Sequence, residues 1–244
     1  MKITSNAYLV VISTERSEWR NLYMTTNTEL IVLHTTKFGE NSLVVHALSR
    51  DYGRRSFFIR GAGKKHMSLF LPLNILEADI QESSKSTLFT ARNLSARFPL
   101  SGIRNNMFKN SMTMFMSEVL FRVLKDGVNE PGLYEWCEKS IHLLDAVQSD
   151  FSNFHIRFLL ELAVALGFSP QMKDLESFVG DQYQVVDRFM KEPFAESMLI
   201  PLSGTKRNDI SESILRYIEF HTDSALNVKS LRVLHELFQT SGQI

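Results

Sequence analysis

The sequence predicts an α+β chain in two parts, a small β-barrel followed by a set of helices. Two observations carry this prediction. Short runs rich in β-branched and aromatic residues alternate with turn residues over 29–99. After Pro99, apolar residues recur instead with the helical period of about 3.6 residues. The length of 244 residues is enough for one large core or two modest ones.

Five strands are predicted in the first part. They cover 30–33, 43–48, 54–60, 71–80 and 87–98. Segment 35–41 supplies the first turn, and Gly53 supplies the positive φ that the second turn requires. Residues 61–65, Gly-Ala-Gly-Lys-Lys, are predicted to form a flexible basic loop. Five short strands of this size favour a five-stranded OB-type barrel.

A helical pattern fills most of the second part. Phe108, Met112 and Phe115 share one face of the first predicted helix. The predicted helices cover 104–125, 133–147, 153–166, 209–221 and 229–238. Segment 170–207 has no clear pattern. The predicted divisions are an N-terminal extension over 1–23 that precedes a candidate translation start at Met24, an OB-type domain over 24–102 and an α-helical domain over 103–244.

The net charge conceals two unlike halves. The chain has 27 Lys+Arg and 27 Asp+Glu, so its formal charge is zero. Residues 1–109 hold 15 basic and 8 acidic residues, whereas residues 110–244 hold 12 and 19. The first half therefore carries +7 and the second −7. This asymmetry favours a polyanion-binding part joined to a part with another role.

Apolar runs and cysteine usage predict a cytoplasmic protein. The longest apolar runs, 70–73 and 162–166, are far shorter than the roughly 20 residues that span a bilayer. The apolar run 7–12 lacks the length and the cleavage site of a secretion signal. The one cysteine, Cys137, excludes an internal disulfide and an all-cysteine zinc site, which indicates a reducing compartment.

The third predicted strand has the pattern expected of a single-stranded nucleic acid site. Side chains alternate between faces, so Arg54, Phe58 and Arg60 share one face and Arg55 lies on the other. Cations attract phosphates, and a ring offers a stacking surface worth ~1–3 kcal/mol per base. The candidate DNA-binding residues are Lys37, Arg54, Arg55, Phe58, Arg60, Lys64, Lys65, Arg92 and Arg97. Arg92 and Arg97 fall on opposite faces of the fifth strand, so at most one reaches this groove. The alternative is a solvated sheet face with Phe58 in the core.

Catalytic and metal-binding patterns are weak. The 61–65 loop lacks the spacing of a Walker or a dinucleotide motif. His46 shares a face with apolar neighbours and Cys137 lies beside a tryptophan, so both are interpreted as packed residues. Glu77 and Asp79 share a strand face, but nothing nearby supplies a third metal ligand. A metal-dependent nuclease is therefore the weaker alternative, and the chain is predicted to be no enzyme, without metal or cofactor.

Several segments match one known family in its own order. They are Leu30-Ile-Val-Leu-His-Thr-Thr-Lys-Phe-Gly39-Glu40, Ser49-Arg50-Asp51-Tyr52-Gly53-Arg54, Arg60-Gly61-Ala62-Gly63-Lys64-Lys65, Leu71-Pro72-Leu73, Arg157-Phe-Leu-Leu-Glu161, Gly167-Phe-Ser-Pro170 and Lys229-Ser-Leu-Arg232. Together these segments resemble the RecO family of bacterial recombination mediators. The resemblance implies an N-terminal OB domain that binds single- and double-stranded DNA and a C-terminal helical domain that contacts proteins.

The resemblance also implies a role in DNA repair. Members anneal complementary strands and help to load RecA onto DNA coated by the single-stranded DNA-binding protein. The implied partners are RecR, RecF in some cases, the single-stranded DNA-binding protein and, indirectly, RecA. Such a protein is non-catalytic and acts in the cytoplasm, associated with the nucleoid. From the residues alone, an interaction scaffold whose barrel binds a partner strand and no nucleic acid stays open.

The chain departs from the family pattern at two places. Many members carry a four-cysteine zinc module after the Gly-Phe-x-Pro turn, whereas residues 171–207 contain no cysteine. We therefore expect packing to stabilise this segment. The extension before Met24 is the second departure. DNA binding is predicted to map to 24–109, which carries +6, while the negative charge of 110–244 keeps the helices available to proteins.

Overall fold

The computed structural model describes residues 25–61, 63–83, 86–168 and 172–241. The predicted extension over 1–23 and Met24 lie outside the described residues. The strands are β1 (Thr25–Phe38), β2 (Ser42–Ser49), β3 (Gly53–Arg60), β4 (Ile75–Gln81) and β5 (Leu88–Ala96). The helices are α1 (Ser101–Arg104), α2 (Met107–Val123), α3 (Leu133–Ala146), α4 (Phe154–Ala165), α5 (Met172–Val179), α6 (Tyr183–Lys191), α7 (Phe194–Met198), α8 (Gly204–Thr222) and α9 (Ser230–Ser241). Short 3₁₀ helices cover Lys64–Phe70 and Gly180–Gln182.

The five strands close into a barrel in the order β1-β2-β3-β5-β4. β3 and β5 pair in parallel, and the other neighbours are antiparallel. Val45, Phe57 and Ile80 are among the inward side chains that fill the barrel. This arrangement confirms the predicted OB-type barrel followed by helices.

β1 is longer than predicted, because the strand continues through the residues assigned to the first turn. The turn itself is confined to 39–41, where Gly39 has φ +66°. A register shift between Val32 and His34 marks a bulge, which lets a long strand bend around the barrel. The prediction of a turn over 35–41 was therefore wrong for its first four residues, since the polar character of Thr35, Thr36 and Lys37 hid the end of the strand.

The predicted fourth strand over 71–80 was also too long. A 3₁₀ helix ends at Phe70, and β4 begins only at Ile75. Between them, Pro72 has no N–H to donate and Leu73 has φ +59°, so neither residue continues a regular strand. The predicted basic loop over 61–65 is correspondingly shorter, since the 3₁₀ helix begins at Lys64.

Caps explain where two of the helices begin. The first long helix, α2, starts after Asn106, whose side-chain oxygen accepts hydrogen bonds from the N–H groups of Phe108 and Lys109. α8 begins at Gly204 instead of at the predicted Asp209. Ser203 caps it, because its hydroxyl accepts a hydrogen bond from the N–H of Lys206.

The segment without a predicted element folds into α5, α6 and α7. Three side chains from neighbouring helices fasten it. Arg157 donates to two carbonyl groups at the end of α6. The Asn153 amide donates to three carbonyl groups at the end of α7 and just beyond it, at 2.8–3.3 Å. Arg207 Nε donates to the Asn153 side-chain oxygen at 3.1 Å. Buried Leu175 pins α5 to the same core.

The outer surface of the barrel and the helices share one hydrophobic core. Ile31, Leu48 and Ile75 point away from the barrel interior and are buried among helical residues such as Met116 and Leu120. The chain changes from strands to helices at α1, yet the apolar packing is continuous there. Within the described residues, no helix is both long and apolar enough to cross a membrane.

Candidate nucleic-acid interface

The outer surface of the barrel around β3 divides into two faces, which include residues of the neighbouring strands. Phe57 and Ile59 lie in the barrel core, so Arg54, Phe58 and Arg60 point outward, as the alternation predicts. Helix α2 packs over the beginning of the strand and leaves its end uncovered. The covered face consists of His46, Arg54 and Ser56, and the open face consists of Phe38, Phe58, Arg60 and Arg92.

Arg54 belongs to the covered face. Its Nη1 lies 3.1 Å from Oδ1 of Asp126, and its side chain is 13% exposed. The guanidinium group also sits 5.1 Å from the centre of the Phe121 ring of α2. The structure therefore places this predicted DNA-binding residue between the barrel and the helices, where a phosphate would have to displace Asp126.

The loop after α2 is fastened to the same end of β3. The N–H of Gly127 donates to the Arg54 carbonyl at 2.8 Å, and the Arg54 N–H donates to the Val128 carbonyl at 3.2 Å. Gly53 has φ +64°, which agrees with its predicted conformation. A Cβ on Gly53 would stand 2.1 Å from the Val128 oxygen, so only glycine allows the loop to approach this closely.

His46 completes the covered face as a packed residue, which confirms its interpretation from the sequence. Its Nδ1 lies 2.9 Å from the Ser56 hydroxyl, and its ring centre lies 5.1 Å from that of Phe121. Burial lowers the pKa of His46, and the positive charges of Arg54 and His34 lower it further.

Arg55 and Arg97 lie away from the open face. Arg55 follows the inward alternation, and its guanidinium group is 5.2 Å from the centre of the Phe89 ring at one end of the barrel. Arg97 forms an ion pair with Glu29, which also accepts a hydrogen bond from the Tyr134 hydroxyl of α3. Of these contacts, the hydrogen bond from Tyr134 joins the barrel to the helices. The candidate DNA-binding residues predicted from the sequence thus lie at several different locations.

The open face brings together Phe58, Arg60 and Arg92, as well as a residue that the sequence did not single out. Phe38, the last residue of β1, is 61% exposed and meets Phe58 edge-to-face at a centroid distance of 5.5 Å. The Arg60 guanidinium group lies 5.7 Å from the Phe58 ring centre. Arg60 and Arg92 line one groove between β3 and β5. No local signal marks Phe38. Strict alternation from the inward Leu30 and Val32 would point it into the barrel, and the bulge between Val32 and His34 turns it outward.

The cations of the open face are not neutralised. Within the described ranges, no ion pair involves Lys37, Arg60 or Arg92. Lys37 is exposed at the rim of the barrel. It lies opposite the inward Leu43 of β2, so it points to the other side of β1 from Phe38 and is not part of the open face. Lys64 and Lys65 are the first two residues of the 3₁₀ helix, and the structure describes only their backbones. Both lysines stay sequence-based candidates.

The two carboxylates of the nuclease alternative do not form a metal site. Asp79 lies opposite Arg92 in the β4–β5 register, and its carboxylate accepts hydrogen bonds from Asn27 at 3.0 Å and Asn93 at 2.7 Å. These bonds lower the pKa of Asp79, so the group is ionised at neutral pH. In the part of the chain that the structure describes, no group of three His, Cys, Asp or Glu could hold a metal ion.

Comparisons with known proteins agree with the two-part architecture. A family model described as Recombination protein O N terminal matches residues 24–97, and one described as Recombination protein O C terminal matches residues 104–176. The chain is 33% identical over 239 residues to the DNA repair protein RecO of Flavobacterium johnsoniae, which covers 88% of this chain and 100% of that protein. It is 27% identical over 233 residues to the DNA repair protein RecO of Phocaeicola vulgatus, covering 85% and 97%.

A third relative, the DNA repair protein RecO of Flavobacterium psychrophilum, is 26% identical over 238 residues and is also covered completely. One family model thus matches the barrel, the other matches the first helices, and whole relatives align along the chain. On these grounds the chain belongs to the RecO family.

Proposed function

We propose that this chain is a DNA repair protein that binds DNA on the open face of its barrel. The observation that carries the proposal is the open face itself: Arg60 and Arg92 line one groove without ion-pair partners in the described structure, next to two aromatic rings. Free guanidinium groups bind phosphate oxygens, and exposed rings stack on bases. The relatives named DNA repair protein RecO support the same assignment.

The charge of the two parts favours a division of roles. Residues 24–109 carry +6, so a polyanion is attracted to the barrel, whereas the −7 of residues 110–244 repels it from the helices. We assign protein contacts to the helices. In this proposal the chain anneals complementary strands and, with RecR and in some settings RecF, helps RecA to load onto single strands held by the single-stranded DNA-binding protein. No catalytic step is assigned to it.

The two faces of β3 decide which residues enter the proposed site. Phe58, Arg60 and Arg92 belong to it. Lys64 and Lys65, which follow Arg60 closely in the sequence, and Lys37 at the barrel rim are further candidates for phosphate contacts. Arg54, Arg55 and Arg97 serve the packing of the barrel instead, since each already has a partner in the fold. The site recognises phosphates and ring faces, so we expect little preference for base sequence.

Titration of a fluorescent single-stranded oligonucleotide at several salt concentrations tests DNA binding. The affinity should fall as salt rises, because bound cations release counterions from DNA. The double variant R60A/R92A should bind more weakly and should reduce the salt slope by about 1.4, or about 0.7 per lost cation on a single strand. The matched control R188A/R232A removes two exposed arginines of the helical part and should leave the slope unchanged.

The outcomes separate this function from its alternatives. A wild-type protein that binds no DNA even at low salt contradicts the proposal and leaves the interaction scaffold. Cleavage of the oligonucleotide that requires magnesium and Glu77 would establish the nuclease. Annealing is measured with two complementary oligonucleotides, and RecR binding with the full chain immobilised. R60A/R92A should slow annealing and should leave RecR binding intact.

A further inference from the structure

Phe38 is exposed in a way that the packing of the barrel does not explain. It is the last residue of β1, and 61% of it is accessible to solvent. Among the described residues, its ring meets one other aromatic ring, that of Phe58, edge-to-face at an interplanar angle of 90°. A phenylalanine in this position contributes little to a core, because most of its apolar surface stays in water. Its free ring surface is available to a ligand.

The strand register places a slot between this ring and a cation. Phe38 lies opposite Ser42 on β2, and Ser42 lies opposite Arg60 on β3. The three residues therefore form one row across the barrel surface, with the small serine in the middle. Two strand spacings separate the ends of the row, roughly 10 Å. The Phe58 ring borders this slot, at 5.5 Å from the Phe38 ring and 5.7 Å from the Arg60 guanidinium group. An unpaired base stacked on the exposed surface of Phe38 would lie beside Phe58, with its phosphate within reach of Arg60.

A duplex cannot use the same slot. Its bases are already paired and stacked on their neighbours, so they cannot lie flat against a protein ring unless the duplex opens. Its phosphates remain accessible, and Arg60 and Arg92 can contact them in either form of DNA. The cations of the open face therefore serve both forms, whereas the ring serves only unpaired strands.

We propose that Phe38, together with Phe58, is the element by which the open face prefers single-stranded over double-stranded DNA. This inference rests on the proposed function, since it assigns a specificity to the same site. Phe38 supplies the stacking surface, Phe58 holds the Phe38 ring upright through the edge-to-face contact, and Arg60 keeps the phosphate at the other end of the slot.

The proposal is tested by measuring the affinities of the variant F38A for oligothymidine and for a blunt-ended duplex, in parallel at one low salt concentration. Loss of one stacking contact should weaken binding of the single strand roughly 5- to 50-fold. Binding of the duplex should change less than about 2-fold, since its phosphate contacts are unaltered. F38Y keeps a ring and should restore the preference. F38L keeps apolar bulk without a ring and should behave like F38A.

Phe220 offers the matched control. It is 72% exposed on α8, so F220A removes an equally accessible ring from the helical part and should leave both affinities unchanged. Equal losses for the two DNA forms in F38A, or an unchanged single-strand affinity, would overturn the proposal while leaving DNA binding intact. Wild-type protein that binds neither form at low salt would overturn the proposed function itself. Retained single-strand affinity in F38L would show that apolar contact, and not stacking, is what Phe38 provides.

Discussion

Arg54 and Arg60 lie on the same side of the same strand, yet the fold gives them different roles. Arg54 is nearly buried between Asp126 and the Phe121 ring, and it joins the barrel to the helices. Arg60 is exposed beside an aromatic pair and has no ion-pair partner in the described part of the chain. The difference shows that strand alternation determines which way a side chain points, whereas the neighbouring element determines whether a ligand can reach it.

The largest expected effect is on stability, because the loop after α2 packs closely against the covered face. Gly53→Ala puts a Cβ against the Val128 carbonyl at a position with φ +64°, so we expect the free energy of unfolding to fall by more than about 3 kcal/mol. Gly39→Ala is the control, because Gly39 has φ +66° and nothing within 4 Å of its Cβ position. It should cost only the backbone strain, about 1–2 kcal/mol. If urea denaturation shows that the two variants lose the same free energy of unfolding, the loop moves to accommodate the new methyl group.

Substitution of Arg54 should change stability and not DNA binding, whereas substitution of Arg60 should change DNA binding and not stability. Arg54→Ala removes an ion pair and a ring contact that are largely shielded from water, so it should lower the free energy of unfolding by about 1–3 kcal/mol. Its folded fraction should bind DNA as wild type does. Arg60→Ala should leave stability within about 0.5 kcal/mol and should weaken DNA binding. Urea denaturation measures the stability of both variants, and oligonucleotide titration measures their DNA affinity. A loss of affinity in Arg54→Ala alone would mean that the covered face opens to DNA.

Acid should weaken the covered face through His46. Its pKa in the folded protein lies below the ordinary value of 6.5, chiefly because the ring is partly buried. The unfolded chain therefore takes up the proton first. The stabilising contribution of neutral His46 is complete above 6.5 and is lost as pH falls through the lowered pKa. Between about pH 7 and pH 5, wild type should lose more stability than His46→Gln.

A second histidine sets the background for that measurement. His155 is fully buried in the helical part, and burial lowers its pKa to about 3. It adds the same acid sensitivity to the wild type and to the His46 variant, so only the difference between their denaturation midpoints reports on His46. Identical pH profiles would show that the proton on His46 has no consequence for the covered face.

The smallest effect concerns Asp79, an acidic residue next to the open face. Asp79 lies opposite Arg92 in the barrel register, and its carboxylate opposes a bound phosphate. Asp79→Asn should therefore raise DNA affinity by about 2-fold at low salt, as expected for one exposed charge. The gain should disappear at high salt, where screening removes it. A lower affinity would show that the carboxylate positions Asn93 or Asn27 for binding.

Much of the fold could be predicted because local patterns agree with it. The strand alternation at Phe57 and the helical period around Phe115 are both reproduced in the structure. The ends of the strands were harder to predict from local sequence patterns. The threonines and Lys37 look like turn residues, but pairing with β2 draws them into β1. Tertiary pairing of this kind leaves no local signal, and it is the reason that Phe38 was missed.

The candidate site was predictable only in part, for a similar reason. A cationic side chain looks the same in sequence whether it meets a phosphate or a carboxylate of its own chain. Arg97 meets Glu29, and Arg54 meets Asp126, which is far away in the sequence. Such partners become visible only in the folded structure, where distant parts of the sequence meet. What the pattern did predict was the grouping of Phe58 and Arg60, which needs no more than the geometry of one strand.

The shared core has a consequence for how the molecule unfolds. Ile31, Leu48 and Ile75 belong to strands of the barrel, yet their side chains are solvated if the helices melt. A barrel released from its helices would present an apolar surface to water, which favours aggregation over an independent folded state. We expect heat to unfold the described parts in a single cooperative transition. A barrel prepared alone would need polar substitutions at these three positions to remain monomeric.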